Sequence, residues 1–440
     1  MADPKSPPPP LLALHLQPPT RSAPHKDLAN ALAVPPAVPP TTPRVPTPPV
    51  GRTPRQTTPP APSPREENRV CGVVAKENRK GGRPNGGKHH RAISKTIQTE
   101  DGDIFDCIDI KSQPAFDHPL LRNHSIQMEP SSHPIGLEGN SIPDTTLESS
   151  THLVSCPLGT IPIWRSEQHY PIVDIKELTQ QIYTRNITRD NKNNTASLAG
   201  LSRGQDIYGT TVSINVYDPE VYGTQDKSGG LTTIISGYSF DREHTNAVGV
   251  GWFVWQSNGG DKAARFHIFY DNGQKQCFDL KCPGFIHTSP NIPLGGKLSP
   301  ISKYDGPQAH MNTFVYQDTN SNWWVKFGKE GTVVGYWPGE LFGYLKSKGT
   351  VGYWGGLVEG PTIKYKPPPM GSGHPASEGD GTAAYVKNIK IVTRDHQLVT
   401  PMSREFDVAV ENPKCYSVAH KSDQDGGVHA NWGGSGDCTL

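Results

Sequence analysis

Arg265-Phe-His-Ile-Phe-Tyr270 runs directly into Asp271-Asn-Gly273, and this stretch decides the fold. Aromatic and β-branched residues fill the run without helical spacing, and Asn-Gly is a turn that matches the twist of an antiparallel hairpin. The same grammar extends in both directions. Upstream lie Thr210 to Tyr217, Leu231 to Tyr238 and Val248 to Trp255; downstream lie Met311 to Gln317, Asn322-Trp-Trp-Val-Lys-Phe327, Thr332 to Trp337, Thr350 to Trp354 and Tyr385 to Val392. Helical spacing in this region is confined to Leu341 to Lys346. So many short strands predict an antiparallel sandwich or barrel. In such a strand, adjacent Trp323 and Trp324 must face opposite sides. Each tryptophan is read first as core and second as a ligand-stacking surface.

The chain before these strands differs in kind. Its 440 residues carry 43 Lys+Arg against 42 Asp+Glu, a formal net charge of +1, which predicts no bulk attraction to nucleic acid or an anionic membrane. No stretch approaches the roughly 18 to 20 apolar residues of a membrane span. Leu11-Leu-Ala-Leu14 is too short for a signal-peptide core, so none is read at this N-terminus. Of the 44 prolines, 21 fall in the first 65 residues, whereas 35 of the 45 glycines lie from residue 200 onward. Residues 1–92 therefore read as a disordered, proline-rich arm ending in the basic run Lys76 to Arg91. A solvated spacer is preferred to a ligand for a proline-binding module. The basic run is preferred as a linker, because no aromatics interleave it for base stacking. Ile172 to Tyr183, with apolar residues at Ile172, Ile175, Leu178 and Ile182, reads as an amphipathic helical connector.

Seven cysteines stand at 71, 107, 156, 277, 282, 415 and 438. Cys277 and Cys282 are too widely spaced for a CxxC redox pair and suit a hairpin cross-brace. Cys415 and Cys438 would close a C-terminal loop. Cys107 with Cys156 remains by elimination, a pairing that sequence does not establish. Sequons occur at Asn123, Asn186 and Asn193. With six pairable cysteines they point to an oxidising, secretory history. No zinc-ligand spacing is present, and His287, His310 and His374 form no ligand motif, so no metal and no cofactor are expected.

Taken in order, the segments resemble a known family. Thr96 to Ile110, Gln113-Pro-Ala-Phe-Asp-His-Pro-Leu-Leu-Arg-Asn-His124 and Cys156-Pro-Leu-Gly-Thr-Ile-Pro-Ile163 resemble the activation peptide of the plant neprosin family. Ser213 to Tyr217, Gly251-Trp252, Cys277 to Phe285, Asn322-Trp-Trp324, Val334-Gly-Tyr-Trp-Pro338, Trp354-Gly-Gly356 and Met370-Gly-Ser-Gly-His374 are similar to its peptidase domain. The resemblance implies an all-β, two-sheet antiparallel β-sandwich covered by an N-terminal propeptide, with a disulfide at Cys277 and Cys282. It also implies a secreted or vacuolar zymogen and glutamic endopeptidase activity after proline at acid pH, without metal or cofactor. The domain reading is residues 1–92 arm and linker, 93–166 activation-peptide-like, 167–199 connector, and 200–440 peptidase-like sandwich.

Such an enzyme needs two facing glutamates, one to deprotonate water and one held protonated to donate. The family places the first three residues before the tryptophan of Gly-Trp and the second directly after Trp-Gly-Gly. Here those positions are Gly249 and Leu357. Glu359 would share the face of Leu357, about 6 to 7 Å along the strand. Near Gly249 the same-face neighbours are Ala247 and Gly251, and Glu243 is about 20 Å away on a straight strand. The expected function is a neprosin-like glutamic-peptidase homologue without catalysis that keeps a peptide-binding groove. Its aromatic lining is expected from Trp252, Tyr336, Trp337, Tyr353 and Trp354. The expected partners are a peptide or protein ligand, proline-rich as the first candidate, and the chain's own propeptide over the groove. An active proline-directed endopeptidase using Glu359 is the alternative, and a carbohydrate-binding sandwich is the second. Ser372, two residues before His374, reads as part of a glycine-rich turn, since no acid of fixed position follows to complete a triad.

Overall fold

The computed structural model describes residues 91–136, 146–165, 196–237, 245–422 and 427–438. All belong to the second of the two units into which the chain divides, Val73–Leu440. The proline-rich arm, Cys71, the helix expected over Ile172 to Tyr183, Glu243, Asn186 and Asn193 lie outside the described residues. The N-terminal part contributes strands β1 (Ile93–Gln98), β2 (Ile104–Asp109), β3 (Leu147–Glu148), β4 (Ser150–Thr151) and β5 (Thr160–Trp164). Then follow β6 (Ala196–Arg203), β7 (Gly209–Asn215), β8 (Lys227–Gly237), β9 (Thr245–Val254), β10 (Ala264–Asp271) and β11 (Gln276–Phe278). The middle holds β12 (Ile286–His287), β13 (Leu298–Ser299), β14 (Ala309–Gln317), β15 (Trp323–Phe327), β16 (Thr332–Trp337) and β17 (Val351–Glu359). The chain closes with β18 (Ala384–Val392), β19 (Leu398–Val399), β20 (Asp407–Val410), β21 (Ser417–Ser422) and β22 (Val428–Gly433).

Two large sheets result. One has seven strands in the order β11-β10-β9-β8-β17-β6-β20; the other has ten, along β12-β16-β15-β14-β7-β18-β22-β21 with β19 and β3 attached. Every pairing within the seven-stranded sheet is antiparallel. Between the sheets lies the main core, which includes Val212, Ile214, Val250, Trp252, Phe266, Trp323, Trp337, Trp354 and Trp432. This is the two-sheet sandwich expected from the sequence. Its first strand begins at Ala196, inside the connector as read from sequence. Leu341 to Lys346 is not a helix: a 3-10 turn, Gly339–Leu341, is followed by irregular chain.

Period-two alternation sorts the side chains. Trp323 enters the main core, whereas Trp324 joins Phe314, Tyr316 and Tyr336 on the outer face of the ten-stranded sheet. Residues 113–135 lie across that outer face as a strap. The Gln113 side chain bonds both N–H and C=O of His287, and Leu121 enters the core. Gln127 donates its backbone N–H to the Tyr336 hydroxyl at 2.9 Å, so the phenol proton is free to donate to His124 Nε2, also at 2.9 Å. That arrangement requires His124 neutral. His133 meets the Tyr316 hydroxyl at 3.1 Å, and Ile135 bonds to the backbone of His396 and Leu398.

The small sheet β1-β2-β5 has its own core of Ile97, Phe105, Cys107, Val154 and Cys156, stapled by the Cys107–Cys156 disulfide. It is clamped to the sandwich through Arg265, which is 2% exposed. The guanidinium makes two bonds to Asp103, at 2.8 and 3.0 Å, and lies 4.6 Å from the ring centroid of Trp164. Bidentate geometry of this kind is strong because both bonds are charge-assisted. The other disulfides join Cys277 to Cys282 and Cys415 to Cys438.

Candidate functional site

Gly249 and Leu357 both point to the outer face of the seven-stranded sheet. On β9, Val248, Val250, Trp252 and Val254 enter the main core, which leaves Ala247, Gly249, Gly251 and Phe253 on the outer face. On β17, Trp354 and Val358 are core, and Val351, Tyr353, Leu357 and Glu359 are outward. The ladders place the two positions on either side of β8. Gly249 pairs with Thr233, and Leu357 pairs with Gly229. They are thus two strands apart and offset by four residues along β8, about 10 Å across and about 13 Å along if the sheet were flat.

Neither position adjoins open space. A Cβ built on Gly249 would sit 2.1 Å from Cζ of Phe269, its neighbour on β10, and 2.8 Å from the Thr232 carbonyl oxygen. Leu357 is buried among Leu198, Leu231, Phe253 and Tyr353. The middle of the face is a glycine row, with Gly251, Gly355 and Gly200 in register around Leu231. The Tyr353 hydroxyl donates to the Gly356 carbonyl at 2.7 Å, and a Cβ on Gly200 would meet that hydroxyl at 2.8 Å. Burial, and after it the negative charge of Glu411, holds this phenol well above its ordinary pKa.

Glu359 does face the side of Leu357, but it is already engaged. Its carboxylate lies 2.8 Å from the ammonium of Lys227, with the side chains 12% and 1% exposed respectively. Phe253, Trp255 and Phe278 surround that ammonium with ring centroids at 5.8, 5.1 and 4.8 Å. The carboxylate is thus tied into a buried structural contact.

None of the five aromatics expected to line a groove does so. Trp252, Trp337 and Trp354 fill the space between the sheets; the indole N–H groups of Trp252 and Trp354 donate to the Asn215 carbonyl and the Thr210 hydroxyl. Tyr336 lies on the other sheet beneath the strap. Tyr353 has the right face, yet its ring is fully buried over the glycine row. Three of the five thus take inward positions on their strands, and the two outward ones, Tyr336 and Tyr353, are covered as well.

Sequence reasoning missed a polar pair on the same face. His267, next to Gly251 in the ladder, donates Nδ1–H to Asp279 at 2.7 Å, and Asp279 also accepts the Ile268 N–H. The ring's other nitrogen, Nε2, is buried without a hydrogen-bond partner among the described residues. The two residues lie twelve apart across a hairpin, and no linear motif joins them. The three histidines considered for a metal are not brought together. His287 is fully buried, and desolvation pulls it down to about 4; His310 bonds Thr146; His374 bonds Glu378. Among the described residues no group of three or more His, Cys, Asp or Glu could hold a metal ion. Ser372 accepts the backbone N–H of His374 at 3.2 Å, so although Glu378 supplies the acid that the sequence did not reveal, the serine is tied to the loop.

The Neprosin activation peptide model matches residues 96–203 and the Neprosin model matches residues 224–435, in that order. The chain therefore belongs to the neprosin family. Among solved structures, scytalido-glutamic peptidase with a transition state analog inhibitor is similar over 54% of this chain and 98% of its own, at 10% identity and a TM-score of 0.32. SCP-B, a member of the Eqolisin family of peptidases in complex with the tripeptide Ala-Ile-His, is similar over 55% of this chain and 98% of its own, at 9% identity and a TM-score of 0.29.

Proposed function

We propose that this neprosin-family chain is a peptidase homologue that no longer hydrolyses peptides and acts by binding them. The observation that carries the reading is the Phe269 ring, which fills the space a side chain at position 249 would need. The ion pair of Glu359 with Lys227 supports it, since the nearest substitute carboxylate is held in a structural role. Positioned acid–base help contributes roughly 10²- to 10⁴-fold per group, so losing both groups removes practical turnover. The ligand is a peptide, proline-rich as the first candidate. The chain's own propeptide is the partner proposed to cover the outer face of the seven-stranded sheet. The Asp103 and Trp164 clamp on Arg265, which ties the N-terminal sheet to β10, supports this assignment. A secreted or vacuolar location is proposed from the three disulfides and from the exposed sequon residue Asn123. Among the described residues no helix is long and apolar enough to cross a membrane.

The test uses the full chain, a quenched fluorescent proline-containing peptide and a range of about pH 2 to 6, where a carboxyl dyad could be half protonated. No cleavage is expected, together with saturable binding of an unlabelled proline-rich peptide. Cleavage abolished by Glu359→Gln would overturn the reading and make Glu359 catalytic. Absence of peptide binding would remove its binding half.

A further inference from the structure

Gly371-Ser-Gly-His374 plays no part in the face described above, and its loop has its own setting. Gly371 and Gly373, at φ of 67° and 82°, hold left-handed conformations that suit glycine. Beyond them the His374 ring stacks on that of Tyr304, with 3.9 Å between centroids and 27° between planes. Tyr304 comes from a separate loop, between β13 and β14. Its hydroxyl donates to Glu378 Oε2 at 3.1 Å, and the same carboxylate accepts from His374 Nδ1 at 3.1 Å through Oε1. Tyr304 is 51% exposed, yet imidazole fixes one side of its ring and a carboxylate fixes its tip. A large ring held rigid at the surface forgoes both burial and rotational freedom, a combination that points to a ligand.

We propose that Tyr304, His374 and Glu378 form a carbohydrate-binding plate that takes one pyranose ring. The open side of Tyr304 offers a flat apolar surface for the C–H face of the sugar. A carboxylate has about four lone-pair sites. Tyr304 and His374 occupy only part of that capacity, so Glu378 can accept sugar hydroxyls at the rim of the plate in charge-assisted bonds. Ser372, whose oxygen accepts from the His374 N–H, keeps its own proton for a further hydroxyl. Exposed Asp305, beside Tyr304, adds a second acceptor. The acceptor-rich rim decides between two stacking ligands. A proline ring would stack equally well, but a proline-rich backbone presents carbonyl acceptors to these carboxylates, whereas a sugar presents donors. The site does not depend on peptide binding at the seven-stranded sheet.

The full chain should be screened on immobilised oligosaccharides ending in glucose, galactose, mannose, xylose or N-acetylglucosamine. The best hit is then titrated as its methyl pyranoside by calorimetry. Saturable binding is expected, weakened roughly tenfold or more by Tyr304→Ala and several-fold by Glu378→Gln, the scale of one or two lost contacts. Tyr304→Phe, which keeps the ring, should weaken it less. Both residues are at the surface, so unchanged urea midpoints serve as the folding control. Three results would overturn the proposal: no glycan bound, equal binding by Tyr304→Ala, or a Tyr304-dependent proline-rich peptide bound in place of any glycan.

Discussion

Replacing Lys227 with methionine isolates Glu359. The ammonium is 1% exposed and 2.8 Å from a carboxylate that is itself 12% exposed, and three aromatic rings close around it. Water reaches neither partner well. Removing one member of a buried pair costs about 3 to 5 kcal/mol, and the residual exposure of Glu359 places this case near the lower end, about 3 kcal/mol. Against a total stability of roughly 5 to 15 kcal/mol, that is a large fraction. Glu359→Gln should cost less, about 1 to 2 kcal/mol, because the rings still hold the ammonium and an amide oxygen can still accept from it. In Lys227→Met/Glu359→Gln no charge is left, and a thioether suits the three rings. The double variant should therefore lose about 2 to 3 kcal/mol in place of the roughly 4 to 5 that the single losses sum to, a coupling of about 2 kcal/mol in the cycle. Equilibrium urea unfolding of the full chain, followed by tryptophan fluorescence with equal slopes required across the set, measures all four species. A loss below about 1 kcal/mol in Lys227→Met, the range of an exposed pair, would refute desolvation of the pair and free Glu359 for other roles.

Two further outcomes follow from the geometry. Gly249→Glu should destabilise the chain by about 3 kcal/mol or more through its clash with Phe269 and produce no cleavage. Peptide cleavage at acid pH should appear only when Phe269→Ala and Leu357→Glu are combined with it, and cleavage by the single variant would contradict the filled-site argument. The strap over Tyr336 should loosen in acid. Desolvation lowers the His124 pKa from 6.5, while Glu340 opposes the shift, so the docked strap binds fewer protons than the free one. Its docking is thus full above about pH 6.5 and declines as pH falls through that value toward the lowered docked pKa. Amide exchange over residues 124–133, corrected for intrinsic rates, should quicken between about pH 7 and 5. Equal protection at both would refute the neutral His124 assignment.

The strands were legible because their signal is local. Arg265 to Tyr270 with its Asn-Gly turn, and the opposed pair Trp323 and Trp324, follow from period two alone, and the structure has both. Exposure was not legible in the same way. Tyr336 is outward on its strand, yet residues 113–135, some 200 positions earlier, cover it. Alternation tells which face a residue takes but not what lies on that face. The polar pairs escaped for a related reason. Lys227 meets Glu359 only through the β8–β17 register, and His267 meets Asp279 only once the hairpin closes. Both are products of pairing, and single-sequence reading stops before pairing.

The proposed reading, in which Gly249 and Leu357 stand where the family has glutamates, also has a stability logic. A catalytic dyad keeps two carboxyl groups in a partly desolvated site, where at least one is held away from its preferred charge state. Leu357 instead buries an aliphatic side chain among Leu198, Leu231 and Tyr353, worth roughly 1.5 to 3 kcal/mol relative to leaving it exposed. At Gly249 the missing side chain lets the Phe269 ring settle over β9, where it packs at 5.5 Å from Phe278 and 6.4 Å from Phe253. Around both positions the face is an aromatic and aliphatic layer continuous with the cage around Lys227. On the proposed reading, a sandwich that no longer hydrolyses peptides gains stability at these positions. The proposed reading then expects no turnover from a single glutamate at position 249, because the Phe269 ring occupies the space that its side chain needs.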